Sequence, residues 1–124
     1  MNRIVLDASA ILTFLQGESG AKTVTEALDG GQACCSAANW SEVCQKVRHH
    51  GADWLTVEAV LTAYGMTVEE VTRDDAVVAA DLWSAHPTLS LGDRLCLALA
   101  TRLGVSALTT DRAWSGLDRA EVIR

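Results

Sequence analysis

The 124-residue chain is 49% hydrophobic and 21% charged, with nine Gly and one Pro, the profile of one compact soluble domain, which excludes a disordered or multidomain chain. A domain of this length buries roughly two-thirds of the surface its unfolded chain exposes, so folding requires neither a disulfide nor a structural metal. Sixteen acids against ten Lys and Arg give a net charge of -6, which removes long-range attraction to nucleic acid and leaves only a local basic groove for such a partner.

Short apolar runs alternate with longer segments of helical period, the sequence form of a parallel sheet covered by helices. Arg3 to Leu6 reads as the first strand, Ala8 to Leu15 as a helix, and Lys22 to Leu28 as a second helix closed by Gly30 and Gly31. Gln32 to Cys35 follows as a strand. Ser36 is a good N-cap for a helix from Ala37 to about His50, with Trp40, Val43, Cys44 and Val47 on its apolar face. Glu42 and Lys46 fall on the opposite face, spaced for a surface pair worth perhaps ~0.3 kcal/mol. Asp53 can cap a further helix through Leu55, Leu61 and Tyr64 that stops at Gly65, and Met66 to Val71 reads as the third strand. Asp74 and Asp75 open a helix that His86-Pro87 ends, since the residue before Pro avoids the helical region. Ser90 to Asp93 leads into Leu95 to Leu103, apolar on nearly every side and so the most buried helix, terminated by Gly104. Ser106 to Thr109 is the fourth strand, Asp111 to Trp114 a helical turn, and Ala120 to Ile123 a fifth strand.

The four cysteines form no C-x-x-C, and the histidines supply no zinc spacing. Each thiol reads as a small buried hydrophobe. Asp7 interrupts the first apolar run before it can serve as a signal-peptide core, and no stretch reaches the length of a membrane span, so a cytoplasmic protein without a membrane partner is expected.

In an open parallel sheet, reactive groups gather beyond the carboxyl ends of the strands. Asp7 and Asp111 each follow an apolar strand, with Ser9 and Thr110 close by, and Asp93 starts the buried helix. Capping accounts for each acid singly: Asp7 and Asp111 suit the helical turns they precede, and Asp93 suits a capping box begun by Ser90. Collectively, two or three carboxylates within ~5 Å repel by roughly 3 kcal/mol per pair at an effective dielectric near 20, so such a cluster needs a cation. Oxygen-only ligands select Mg²⁺ or Mn²⁺.

IVLDASA at 4–10, NWSEV at 39–43, LGDRLCLALA at 91–100 and ALTTDRAW at 107–114 resemble, in order, the four acidic motifs of PIN-domain ribonucleases. Within that superfamily the chain is similar to the VapC toxins of bacterial toxin–antitoxin pairs. The motifs are weak singly and specific as an ordered set spanning the first strand to the last. The resemblance implies a single PIN-like domain over residues 1–124, three layers α/β/α around a mainly parallel sheet of four to five strands. It implies an acidic quartet of Asp7, Glu42, Asp93 and Asp111, with Asp7, Asp93 and Asp111 toward the metal and the first two as its direct ligands. Ser9 and Thr110 match supporting hydroxyl positions. Trp114 matches an aromatic that reads more simply as packing, and Asp118 has no role that a turn would not explain.

The implied activity is hydrolysis of RNA by a water that Mg²⁺ or Mn²⁺ activates, with a small antitoxin protein as inhibitor and a homodimer as the assembly. Arg94 and Arg112 beside the motifs, and Lys46 and Arg48 on the helix of Glu42, are candidates to meet phosphates, each equally readable as a solvated cation. His49, His50 and His86 suit helix ends. Two other readings remain at this stage. One is a catalytically silent PIN scaffold that binds RNA or a protein. The other is a Mg²⁺-dependent phosphatase-like domain with Asp7 as nucleophile, against which residue 9 is Ser where that chemistry places a second Asp.

Overall fold

β-Branched and apolar runs of three or four residues make the strands, and a computed structural model describes them and the rest of residues 3–123. Met1, Asn2 and Arg124, which the single-domain reading includes, lie outside the described residues. The elements in chain order are β1 (Ile4–Leu6), α1 (Ala8–Gln16), α2 (Ala21–Asp29), β2 (Ala33–Ser36), α3 (Ala37–His49), α4 (Trp54–Ala63), β3 (Thr67–Glu69), α5 (Arg73–Ala85), α6 (Leu91–Leu103), β4 (Ala107–Thr109), a 3-10 turn (Arg112–Trp114) and β5 (Ala120–Val122). The five strands pair in the order β3-β2-β1-β4-β5, all parallel.

The two-residue period of the strands divides the core into two faces. Leu6, Cys35 and Leu108 join Ile11, Leu28, Val43 and Leu61 beneath α1 to α4. Val5, Cys34 and Ala107 face the other way, against Cys96, Leu97, Leu99 and Trp114. Val5 sits beside both Cys34 and Ala107 in the register, so β1 forms the middle of both halves. The result is the expected three-layer α/β/α arrangement, with the sheet all parallel rather than mainly so.

α6 is the inner helix of its layer, buried at every position from Leu95 to Ala100. It begins four residues before the apolar run, because Ser90 and Asp93 close a reciprocal capping box around its first turn. It ends at Gly104, whose φ of 69° is the left-handed region that glycine enters without a Cβ penalty. Arg94 straps α5 to this layer, with Nη1 donating to the Ala79 carbonyl at 2.8 Å and Nε to that of Leu89 at 3.3 Å. α5 is held again at its start, where Arg102 meets the buried Asp75 at 3.0 Å.

β3 is shorter than the Met66 to Val71 run, since it is a sheet edge with Thr67 and Val68 exposed. On α4, Trp54 packs edge-on to Trp40 and Leu61 is buried, whereas Leu55 is 72% exposed. That helix is therefore core on one side only. No helix among the described residues is long and apolar enough to cross a membrane.

Candidate active site

Parallel topology sends α1 and α3 away from the carboxyl ends of β1 and β2, so their N-termini open on one edge of the sheet. Asp7 stands there as the N-cap of α1 and is 4% exposed. Its Oδ1 accepts from Ser9 Oγ at 2.7 Å and from the Ala10 N–H at 2.8 Å. The capping reading of Asp7 and its placement at the site are thus the same arrangement. Capping uses Oδ1 and fixes the carboxylate, and the Thr109 hydroxyl also acts on it.

Thr109 is the hydroxyl that the sequence reading missed. One step beyond the β1–β4 register, it stands across from Asp7, fully buried, with Oγ1 3.3 Å from Ser9 Oγ. The same Oγ1 accepts from the Asp111 N–H at 3.1 Å, and Ser9 Oγ accepts from the Thr110 N–H at 3.0 Å. Thr110 therefore contributes its backbone, and Thr109 the side chain first assigned to Thr110. The signal was available: Ala107 and Thr109 share the face of Val5 and Asp7 by the period of two.

Burial pushes the Asp7 carboxyl above the ordinary carboxylate range, opposed by the hydroxyls of Thr109 and Ser9 and the Ala10 amide. The Asp93 charge pushes it further up, which places these two acids in one field. Asp93 Oδ2 accepts from the Ser90 N–H at 3.1 Å in its capping box, leaving Oδ1 without a hydrogen-bond partner among the described residues. Beneath them lies Cys96, fully buried, its thiol held well above its usual range by burial and by both aspartates. Cys35 is likewise pushed up to about 12, mainly by burial.

Glu42 departs from its helical period. It is half-buried, and Lys46 makes no ion pair with it; among the described residues the ion pairs are Arg3–Glu69 and Arg102–Asp75. Its Oε1 instead accepts from Asn39 Nδ2 at 3.2 Å, and that amide also donates to the Gly92 carbonyl on α6 at 3.3 Å. Glu42 thereby lies against the turn that carries Asp93.

Asp111 is exposed, and its Oδ1 accepts from the Ala113 N–H at 2.9 Å as the cap of the 3-10 turn. Its backbone joins the Thr109 chain while its carboxylate turns into its own loop. Among the described residues, no three Asp, Glu, His or Cys side chains stand close enough to hold one metal ion. The donor chemistry nonetheless fits Mg²⁺, which binds through one or two carboxylates, several waters and substrate phosphates. Asp7 Oδ2 and Asp93 Oδ1 are the oxygens that capping leaves for it.

The basic candidates disperse. Arg94 is committed to backbone carbonyls, Arg112 is exposed on the 3-10 turn, and Lys46 and Arg48 are exposed in the last turn of α3, past Glu42. His49 and His50 share that end. Trp114 is fully buried in the α6 layer, a packing residue, and Asp118 is exposed. An open cavity of about 690 Å³ lined by Arg3, Gln32, Gly104 and Arg119 lies at the amino ends of the strands, away from the acids.

Residues 4–120 match the family model for the PIN domain. The chain is 36% identical over 111 residues to ribonuclease VapC42 of Mycobacterium tuberculosis, covering 82% of this chain and 85% of that one. This chain belongs to the VapC family of PIN-domain proteins. A VapC ribonuclease of Mycobacterium bovis matches it with the same identity and coverage. Among solved structures, a toxin–antitoxin complex from Klebsiella pneumoniae superposes on this PIN domain with a TM-score of 0.81 at 20% identity, covering 96% of each chain. Mycobacterium tuberculosis VapC20, described as a sarcin-ricin loop cleaving toxin, gives 0.75 at 19% identity over 98% of this chain and 99% of that one. At these identities the two structures speak for the fold.

Proposed function

We propose that this chain is a metal-dependent endoribonuclease, the toxin of a toxin–antitoxin pair, acting through Mg²⁺ or Mn²⁺ at Asp7 and Asp93. The observation that carries this reading is the buried Asp7, whose carboxylate is fixed by Ser9 and Ala10, with the Thr109 hydroxyl also acting on it, in the field of Asp93. The Asp93 charge opposes ionisation of Asp7, and a hard cation offsets that opposition. The name ribonuclease carried by the 36%-identical relatives supports RNA as substrate.

Bound there, a divalent cation supplies activation of water for in-line attack on a phosphodiester and neutralises charge on the phosphorus oxygens. The chain's own groups prepare that step. Ser9 and Thr109 hold Asp7 in a single orientation, and the Ser90–Asp93 capping box does the same for Asp93. Glu42 and Asp111 complete the quartet as groups that accept protons or orient water from the rim. The Cys96 thiol stays protonated and offers no competing nucleophile. Substrate phosphates meet the N-termini of α1, α3 and α6 and exposed cations such as Arg112, with Lys46 and Arg48 farther along α3. The phosphatase-like alternative lacks its second acid, since residue 9 is a serine that donates to Asp7.

Inhibition by a small antitoxin protein, a homodimer and residues 1–124 as one domain belong to the same proposal. The half-buried α4, with Leu55 and Val60 outward, suits a protein contact. The purified chain is expected to cut RNA with Mg²⁺ or Mn²⁺, to stop in chelator, and to stop in folded Asp7→Asn and Asp93→Asn variants. Cleavage that persists in chelator overturns the metal mechanism.

A further inference from the structure

We infer that Asn39 is a positioning residue that seats the Glu42 carboxylate against the first turn of α6, and that residue 92 is glycine to leave room for it. The inference rests on the ribonuclease reading above and gives a role to two residues that lie within the NWSEV and LGDRLCLALA motifs but are not their acids.

Asn39 is 1% exposed, a polar side chain on the face of α3 that otherwise buries Val43 and Val47. Its Nδ2 reaches two acceptors, Glu42 Oε1 and the Gly92 carbonyl, at 3.2 and 3.3 Å. Its Oδ1 is buried with no partner. Turning the amide over would set that oxygen against two other oxygens, so the two acceptors dictate its orientation. A buried acceptor is left unpaired while both donor bonds are kept, and those bonds join Glu42 to α6.

Gly92 gives the second, independent sign. A Cβ built there falls on Glu42 Oε1 itself, 3.2 Å from Glu42 Cδ and 3.6 Å from Asn39 Nδ2. Gly92 is helical rather than left-handed, so glycine serves here for close approach and not for backbone freedom. The Glu42 carboxylate thus fills the side-chain space of residue 92, next in sequence to Asp93. Periodicity alone would have left Glu42 in solvent with Lys46 four residues on; Asn39, three residues before it, brings it inward.

A double-mutant cycle tests this. Outer groups that orient ligands are worth about 10–100-fold, so Asn39→Ala and Gly92→Ala are each expected to slow RNA cleavage within that range. Because both act through Glu42, neither should slow Glu42→Gln further, beyond about twofold. Thermal melting of every variant separates this from a loss of fold, and Gly92→Ala tests the idea without touching the α3 core if Asn39→Ala fails to fold. Multiplicative losses in the double variants, or wild-type cleavage by a folded Gly92→Ala, overturn the inference. If the wild type itself cuts no RNA with Mg²⁺ or Mn²⁺, the ribonuclease reading fails instead. The midpoint of thermal stabilisation by Mn²⁺ then decides the positioning role: equal shifts in Asn39→Ala, Glu42→Gln and their double support it, and additive shifts or none contradict it.

Discussion

Asp7→Asn should make this protein more stable while abolishing its cleavage of RNA. Asp7 is 4% exposed, and burial and the Asp93 charge both oppose its ionisation. Repulsion between two carboxylates in one site is on the order of 1–2 kcal/mol at an effective dielectric near 20 once the partial exposure of Asp93 is allowed for. Relief of the buried charge adds a similar amount. Asparagine keeps an Oδ1 to accept from Ser9 and Ala10, although a neutral acceptor gives back about 0.5–1 kcal/mol. The net gain is about 1–2 kcal/mol, which raises the melting temperature of a domain this size by roughly 3–8 °C. The pH dependence has a defined sign. With its folded value raised above the unfolded one, Asp7 destabilises the fold above the folded value, and the penalty disappears as pH falls toward the ordinary carboxylate range. Melting followed by circular dichroism in chelator from pH 4 to 8 should therefore show the variant ahead at pH 8 and level with wild type near pH 4. A variant that melts below wild type at pH 8, or leads by a constant margin, refutes the reasoning.

Thr109→Val should slow cleavage about tenfold and cost about 1–3 kcal/mol, because it removes a buried hydroxyl that supports Ser9 and accepts from the Asp111 amide; activity assays and melts read both effects. At Asp75, burial opposes ionisation, but the Arg102 guanidinium and the Thr72 N–H outweigh it and hold the carboxyl below its usual range. Its contribution is present above the unfolded value and lost as pH falls through the depressed one, so Asp75→Asn should lower stability at pH 7 by about 1 kcal/mol, after screening at the half-exposed Arg102, and progressively less in acid melts. Among the thiols, Cys34, Cys35 and Cys96 are buried with raised values, so a chromogenic disulfide reagent should titrate one fast thiol, the partly exposed Cys44, and the rest only on unfolding.

The alternation of apolar runs and helical periods carried the fold, because the central strands β1, β2 and β4 are enclosed between two helical layers and, among the described residues, α6 is the one helix buried through its middle. β3 shrank from Met66–Val71 to Thr67–Glu69: Met66 is buried in the core ahead of the strand, and Val71 beyond it is exposed at the sheet edge. The start of α6 was visible in Ser90 and Asp93, whose capping box outweighs the polar look of its first turn. At the site, Asp7 and Asp93 were legible because caps sit where strands end and helices begin. Glu42 was legible only through the NWSEV resemblance, since helical period ranks it solvated, whereas the bond from Asn39 on the same helix holds it inward. Thr109 was hidden behind its neighbour Thr110, although strand alternation alone separates them. Asp111 was placed on the right edge of the sheet, and its Oδ1 caps the 3-10 turn at the Ala113 N–H.

Crystals grown with Mn²⁺ and measured at the manganese edge give the most direct view of the account. An anomalous peak should stand within about 2.2 Å of Asp7 Oδ2, with Asp93 Oδ1 beside it, and should vanish in Asp7→Asn. A map with no peak there at saturating Mn²⁺, or with its peak among His49 and His50 at the end of α3, would contradict a ribonuclease built on these two aspartates.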